Sequence, residues 1–188
     1  MKTTFEKLKK DCLAKIDKSR KGSIDEAAMP LIDKLNQMND YYTTSSCAGR
    51  LMLYRFSDSK KKNETEWLLQ SHNPIKTEHL KEKLIGTQGD VWFMQEPSIF
   101  HVSCRTLEAA QKLMDISRAI GYKHGGIQAT NNKIIVEIMG PENIVVMLVK
   151  ESRLLVNDDF LEVLTEESNK KLKETQNRIL KLVKQLDA

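Results

Sequence analysis

The chain has 188 residues, 40% hydrophobic and 30% charged, which is enough apolar side chain for one packed core and too much for a disordered protein. Thirty Lys and Arg against 26 Asp and Glu give a net charge of +4, mildly favourable to an anionic partner but not diagnostic of nucleic-acid binding. Cys12, Cys47 and Cys104 fit neither a disulfide framework nor a paired-cysteine zinc motif, and no run reaches the length of a membrane span; a cytoplasmic protein with a single domain over residues 1–188 is expected.

Phe5, Leu8, Cys12 and Ile16 recur at helical spacing and predict an amphipathic helix over about 4–19, ended by Gly22. Ser23 with Glu26 forms a capping box ahead of a second helix with Ala27, Ala28, Leu31, Ile32 and Leu35 on one stripe. Pro30 either kinks that helix or marks its true start. Tyr41 to Thr44 and Arg50 to Phe56 have strand composition, Ser57 to Thr65 reads as a solvated loop, and Trp67 to His72 as a further strand in a hairpin-like layout. A short helix over about 77–85 follows Asn73-Pro74. Strands are expected over Val91 to Gln95 and Ile99 to Cys104, with Glu96-Pro97 at a strand end because proline cannot donate to a ladder.

Thr106 caps a helix that turns Leu107, Ala110, Leu113, Met114 and Ile120 inward and stops at Gly121. His124 to Thr130 and Lys133 to Met139 alternate as two strands joined across Asn131-Asn132. Ile144 to Val149 is another strand, and about 158–186 is one long helix with Leu161, Leu164, Leu172, Ile179, Leu182 and Leu186 along a face. The order of elements predicts an α+β protein with a mixed central β-sheet flanked by helices.

Four stretches carry chemistry. Tyr41 to Arg50 strings hydroxyls, a thiol, Gly49 and Arg50 together, and reads either as a Ser/Thr-rich edge strand entering a turn or as a ligand-facing segment. In the second reading, Arg50 presents its guanidinium to a carboxylate or phosphate beside an anion nest of backbone donors. Trp67, Ser71 and His72 form the second stretch. The third contains Glu96 and His101, an imidazole in an otherwise apolar strand that must find a partner. The fourth is Gly121 to Ile127, whose glycines permit close approach to a ligand or simply end a helix. The histidines and cysteines lack short-range metal-ligand spacing, so no metal site is expected, and neither a G-x-G-x-x-G fingerprint nor a P-loop occurs.

Gly22-Ser23-Ile24-Asp25-Glu26, the Tyr-Thr-Thr-Ser-Ser-Cys-Ala-Gly-Arg run, Trp67 with Ser71-His72, Glu96-Pro97 with His101-Val102, and Gly121-Tyr122-Lys123-His124-Gly125-Gly126-Ile127, taken in this order, resemble the tRNA wybutosine-synthesizing protein 3 family. The resemblance implies an S-adenosyl-L-methionine-dependent methyltransferase acting on the N4 ring nitrogen of the tricyclic guanosine derivative beside the anticodon of tRNA(Phe). It also implies a cofactor site that is not of the usual Rossmann type.

On that resemblance His101, and after it His72, are the candidate bases. Thr44, Ser45, Ser46, Gly49, Arg50, Trp67, Ser71, Glu96 and Gly126 are the candidate cofactor or substrate contacts. Arg50 suits either the methionine carboxylate or the aminocarboxypropyl tail of the substrate, and Trp67, Tyr41 or Tyr42 suits stacking on a base. The expected partner is the tRNA(Phe) anticodon stem-loop, with neither DNA nor membrane. Two other readings are a non-catalytic RNA-binding module and a cysteine hydrolase using Cys47 with His72 or His101.

Overall fold

The computed structural model describes residues 4–14, 25–55 and 65–187. Their elements are α1 (Phe5–Leu13), α2 (Met29–Gln37), β1 (Tyr41–Cys47), β2 (Arg50–Arg55), β3 (Glu66–Ser71), α3 (Thr77–Leu84), β4 (Val91–Glu96), β5 (Ile99–Cys104), α4 (Leu107–Ala119), β6 (His124–Ala129), β7 (Ile134–Met139), β8 (Ile144–Lys150), β9 (Arg153–Leu154) and α5 (Asp158–Asp187). Two units emerge, each discontinuous in sequence: Met1–Ala48 with Ser98–Pro141 and Gln176–Ala188, and Gly49–Pro97 with Glu142–Thr175.

The first unit is built on a sheet ordered β1-β5-β7-β6. Alternation along β5 and β7 sends Phe100, Val102, Cys104, Val136 and Ile138 to one face, where they join Leu31, Ile32 and Leu35 of α2, Leu113 of α4, and Ile179 and Leu182 near the end of α5. Burying each such side chain contributes roughly 1.5–3 kcal/mol. Pro30 lies in the first turn of α2, after a 3-10 turn over Glu26–Ala28. There its fixed φ suits the helix and its missing N–H has no partner to lose, so it marks the start and does not kink the helix. Thr106 caps α4, its hydroxyl accepting from Ala109 N at 3.2 Å. On the sheet's other face the ring of Tyr42 packs 5.2 Å from that of Phe5 in α1.

The second unit has a sheet ordered β3-β2-β4-β8-β9. Leu51, Leu53, Val91, Phe93 and Leu148 meet Leu80 and Leu84 of α3 and Leu161, Leu164 and Leu172 of α5. The strand β9 was not expected. It follows a two-residue turn in which Glu151 and Ser152 take φ of 49° and 67°, the backbone of a tight hairpin. The turn is pinned by Ser152 N donating to Gly89 O at 3.1 Å and Glu151 N donating to Asp90 Oδ1 at 2.8 Å.

The α+β class holds. The single mixed sheet does not: there are two sheets, and every strand pairing is antiparallel. Most successive strands are joined by segments too short for the crossover that a parallel pair requires. β1 runs on to Cys47, three residues beyond the expected end at Thr44, because the hydroxyl-rich run pairs with β5 on both sides of a bulge at Thr44. Residues 15–24, which include the expected end of the first helix, Gly22 and the Ser23 capping position, lie outside the described residues, as do Phe56 and the loop through residue 64. Among the described residues no helix is long and apolar enough to cross a membrane.

Candidate functional site

The sequence-derived candidates fall into two clusters, one in each unit. In the second unit, β2 begins at Arg50 and β4 ends at Glu96, and the antiparallel register sets these two residues opposite one another. Arg50 Nε donates to Glu96 Oε2 at 2.6 Å, and the guanidinium carbon lies 5.2 Å from the centroid of the Trp67 ring. Trp67 in turn faces Tyr54, ring centroids 6.3 Å apart. The register of β3 slips between Leu53 and Tyr54, so Leu68 is the extra residue of a bulge; Leu68 and Leu69 both pack on the core while Trp67 is left 37% exposed. Burial, with Glu96 as a nearby negative charge, raises the Tyr54 hydroxyl above its ordinary pKa.

Gly49 precedes this cluster with φ of +89°, and a Cβ there would stand 2.9 Å from both the Glu96 carbonyl oxygen and Thr175 Cγ2. His72 Nδ1 lies 2.9 Å from Gly49 O. A carbonyl only accepts, so Nδ1 carries the proton and Nε2 is the acceptor nitrogen of the neutral ring. Ser71 is occupied locally: its hydroxyl accepts from Asn73 N at 3.1 Å and donates to Asn73 O at 2.6 Å, closing a turn. Next to Glu96, Gln95 is fully buried; its Nε2 donates to Glu96 O at 2.8 Å while its Oε1 has no partner.

In the first unit His101 finds the partner that its apolar strand demands. Its Nε2 lies 3.0 Å from Glu137 Oε2, across the β5–β7 ladder that pairs the two residues. Glu137 Oε1 accepts from Gln128 Nε2 at 3.2 Å. An ionised carboxylate fixes the Nε2–H tautomer and leaves Nδ1 as acceptor. Ser45 pairs with His101 and Ser46 with Phe100, while Thr44 is the bulged residue between two registers and donates from Oγ1 to His101 O at 3.1 Å. β1 is thus the edge strand of its sheet, one of the two readings of the hydroxyl run. Of the backbone donors expected to form an anion nest, Ala48 N already holds a carboxylate of the same chain, Asp25 Oδ2 at 3.0 Å.

Two expectations change, and one residue joins the site. Tyr41 and Tyr42 are buried, Tyr41 donating to Ala109 O at 2.9 Å, so Trp67 alone of the three keeps an open face for stacking. Gly126 pairs with Glu137, but a side chain there would meet nothing within 4 Å; the steric demand belongs to Gly125, with φ of +105° and a would-be Cβ driven into the Glu137 carbonyl. Glu137 itself went unremarked, although a charged residue in Ile134-Ile135-Val136-Glu137-Ile138-Met139 is as conspicuous as the histidine it faces.

A family model described as Methyltransferase TYW3 matches residues 4–188. The tRNA(Phe) 7-((3-amino-3-carboxypropyl)-4-demethylwyosine(37)-N(4))-methyltransferase 1 of Pyrococcus furiosus is 31% identical over 187 residues, spanning 98% of this chain and 95% of its own. The tRNA wybutosine-synthesizing protein 3 homolog of Mus musculus is 34% identical over 179 residues, spanning 93% of this chain and 70% of its own. Among solved structures, the PH1069 protein from Pyrococcus horikoshii superposes with a TM-score of 0.90 at 30% identity, covering 98% of this chain and 97% of that one.

Proposed function

The chain belongs to the Methyltransferase TYW3 family, and from that premise we propose that it transfers a methyl group from S-adenosylmethionine to the N4 ring nitrogen of 7-aminocarboxypropyl-demethylwyosine, beside the anticodon of tRNA(Phe). One observation carries the reading: the Pyrococcus furiosus relative, whose name states N4-methylation of that base in tRNA(Phe), matches 98% of the chain at 31% identity. Its description as a methyltransferase family favours this over a non-catalytic RNA-binding module or a Cys47 hydrolase.

Bound S-adenosylmethionine supplies an electrophilic methyl carbon, and alignment with the accepting nitrogen provides much of the acceleration. The residues of the second unit have the donor set for such a molecule. Arg50 offers its remaining N–H groups to a carboxylate, that of the methionine moiety or of the substrate tail; Glu96 accepts from hydroxyl or ammonium groups; and the open face of Trp67 offers a stacking plane.

A separate cluster, in the first unit, supplies a candidate base by itself: His101 can accept a proton at Nδ1, and the Glu137 carboxylate would stabilise the imidazolium through Nε2–H. His72, with Nδ1–H directed to the Gly49 carbonyl, is the second candidate for that role.

The test is mass analysis of tRNA(Phe) carrying the unmethylated precursor after incubation with the protein and S-adenosylmethionine. A gain of one methyl on the tricyclic base is expected. Folded protein that gives no gain, together with no binding heat for S-adenosylmethionine in calorimetry, would replace this reading with the RNA-binding module.

A further inference from the structure

The first unit carries a cavity of about 240 Å³ where α1 meets the end of β5 and the turn between β6 and β7. Phe5 and Leu8 supply an apolar wall, and Ser103, Asn131, Asn132 and Lys133 supply the polar one. That volume is below the range of pockets for drug-sized ligands and suits a group the size of one nucleobase. Two cations line it or its rim, and they differ. Arg105 is engaged by its own chain: Nε donates to Asp40 Oδ1 at 3.0 Å, Nη2 to Asn39 O at 2.8 Å, and Nη1 to Glu6. Lys133 has no carboxylate partner among the described residues, and its Nζ stands 6.0 Å from the centroid of the Tyr42 ring.

One buried polar group here lacks a partner among the described residues. Tyr42, fully buried between its contacts with Phe5 and Lys133, has a hydroxyl without a partner. Ser103 lines the cavity at 1% exposure. Ser103 is also two residues from His101 on β5, so both side chains leave the same face of the sheet about 7 Å apart. One nucleotide spans that separation.

We propose that this cavity receives the base of one unstacked nucleotide of an RNA substrate, adjacent to the nucleotide that is modified. The Phe5 ring and the Arg105 guanidinium stacked 4.6 Å over it form the wall against which the base packs, the Asn131 and Asn132 amides and the Ser103 hydroxyl read its edge, and Lys133 holds its phosphate. The placement beside His101 rests on the function proposed above; the RNA class rests on the aromatic wall, on Lys133 with no carboxylate partner among the described residues, and on the exposed amides of Asn131 and Asn132.

The experiment is a fluorescence-anisotropy titration of labelled tRNA(Phe) anticodon stem-loop against wild type, Lys133→Ala, Asn132→Ala and Phe5→Leu, in a salt series, with melting temperatures and S-adenosylmethionine calorimetry alongside. Each variant is expected to weaken RNA binding about five- to tenfold with unchanged binding of S-adenosylmethionine. Lys133→Ala should also lower the slope of log affinity against log salt by about one, which Asn132→Ala should not. RNA affinities equal to wild type, or losses that merely follow lowered melting temperatures, overturn the proposal; so does wild type that binds no stem-loop. A wild type that methylates while the variants bind normally overturns the cavity's role alone. A wild type that binds the stem-loop but transfers no methyl, with Lys133→Ala still weakened, sustains the cavity and overturns the proposed function.

Discussion

Arg50 donates from Nε to Glu96 Oε2 at 2.6 Å because β2 and β4 set the first residue of one opposite the last residue of the other. The pair is therefore a product of backbone register, not of two long side chains meeting by chance. A carboxylate that grips Nε leaves Nη N–H donors for a second acceptor, and the Trp67 ring packs against the guanidinium. Such a guanidinium is pre-oriented toward an incoming anion, so little side-chain freedom is lost on binding.

Arg50→Ala should therefore separate stability from activity. The ion pair is more than a quarter exposed on both sides, 28% and 27%, and exposed pairs contribute only about 0–1 kcal/mol. Loss of a charge-assisted contact to a bound carboxylate costs about 1.5–3 kcal/mol, a ten- to hundredfold drop in kcat/KM. Thermal melts and a methylation assay on one preparation check both halves, and Arg50→Lys should recover part of the activity because it keeps charge without the fork. Full activity in the alanine variant would remove Arg50 from the site.

Gly49→Ala should act in the opposite way, through the fold. Its φ of +89° is strained for any L side chain, and the new Cβ would press to 2.9 Å on the Glu96 carbonyl oxygen. Strain of this kind costs about 1–3 kcal/mol, which corresponds to a fall of about 3–10 °C in melting temperature for a chain of this length. Calorimetric melting measures it directly; a variant that melts with wild type would mean that the turn relaxes freely.

Element types were legible because periodicity is a local signal: α4 with its Thr106 cap, β5, β7 and the long α5 all lie where their apolar spacing places them. The division of the sheet was not. β4 and β5 are separated only by Pro97 and Ser98 yet belong to different sheets, and composition carries no mark of this because the chain enters each unit more than once. His101 was singled out as an imidazole in an apolar strand, whereas its link to Glu137 required knowing that β5 and β7 are neighbours across an intervening helix and strand. The exposure of Trp67 is not readable from alternation, because the β3 bulge sends both Leu68 and Leu69 to the core.

His101→Gln should lower the methylation rate with unchanged binding of S-adenosylmethionine. Positioned proton transfer contributes about a hundredfold or more, which sets the expected size of the fall. Glu137→Gln keeps a hydrogen-bonding group near Nε2 while removing the charge that supports an imidazolium, so its rate should lie between wild type and the histidine variant. Single-turnover rates decide the order. If both variants turn over as wild type does, His72 takes the base role.

Cys104 and Tyr41 make the first unit sensitive to alkali. Burial, reinforced by the negative charge of Asp40, pushes the Cys104 thiol up to about 12, and burial pushes the Tyr41 hydroxyl likewise to about 12. The unfolded chain gives up the thiol proton near 9 and the phenol proton near 10, while the folded chain keeps both to about 12. Between those limits the unfolded state binds fewer protons, so stability falls as pH rises; below about pH 8 neither group contributes a slope. Melting temperatures from pH 7 to 11 should decline above pH 9, and Cys104→Ala, although less stable at neutral pH, should show the shallower decline. Parallel slopes would assign the alkaline loss to other groups.

Trp67 is the remaining aromatic able to stack on a ligand, and its exposure makes the consequence of removing it readable. At 37% exposure, with ring neighbours among the described residues only in Tyr54 and the Arg50 guanidinium, the indole adds little to the core. Its exposed cation–π contact is worth about 0.5–1 kcal/mol. A base stacked on it is worth about 1–3 kcal/mol, the larger quantity. Trp67→Ala should therefore lower kcat/KM about five- to hundredfold while the melting temperature moves by only a few degrees, and Trp67→Phe should restore most of the activity because it keeps an aromatic plane. Calorimetry with S-adenosylmethionine and anisotropy with the anticodon stem-loop, run on the same variant, assign the stacked partner: the loss appears in the adenine-bearing ligand or in the RNA. A Trp67→Ala protein that matches wild type in both titrations would show that the indole serves only to hold Arg50 in its plane.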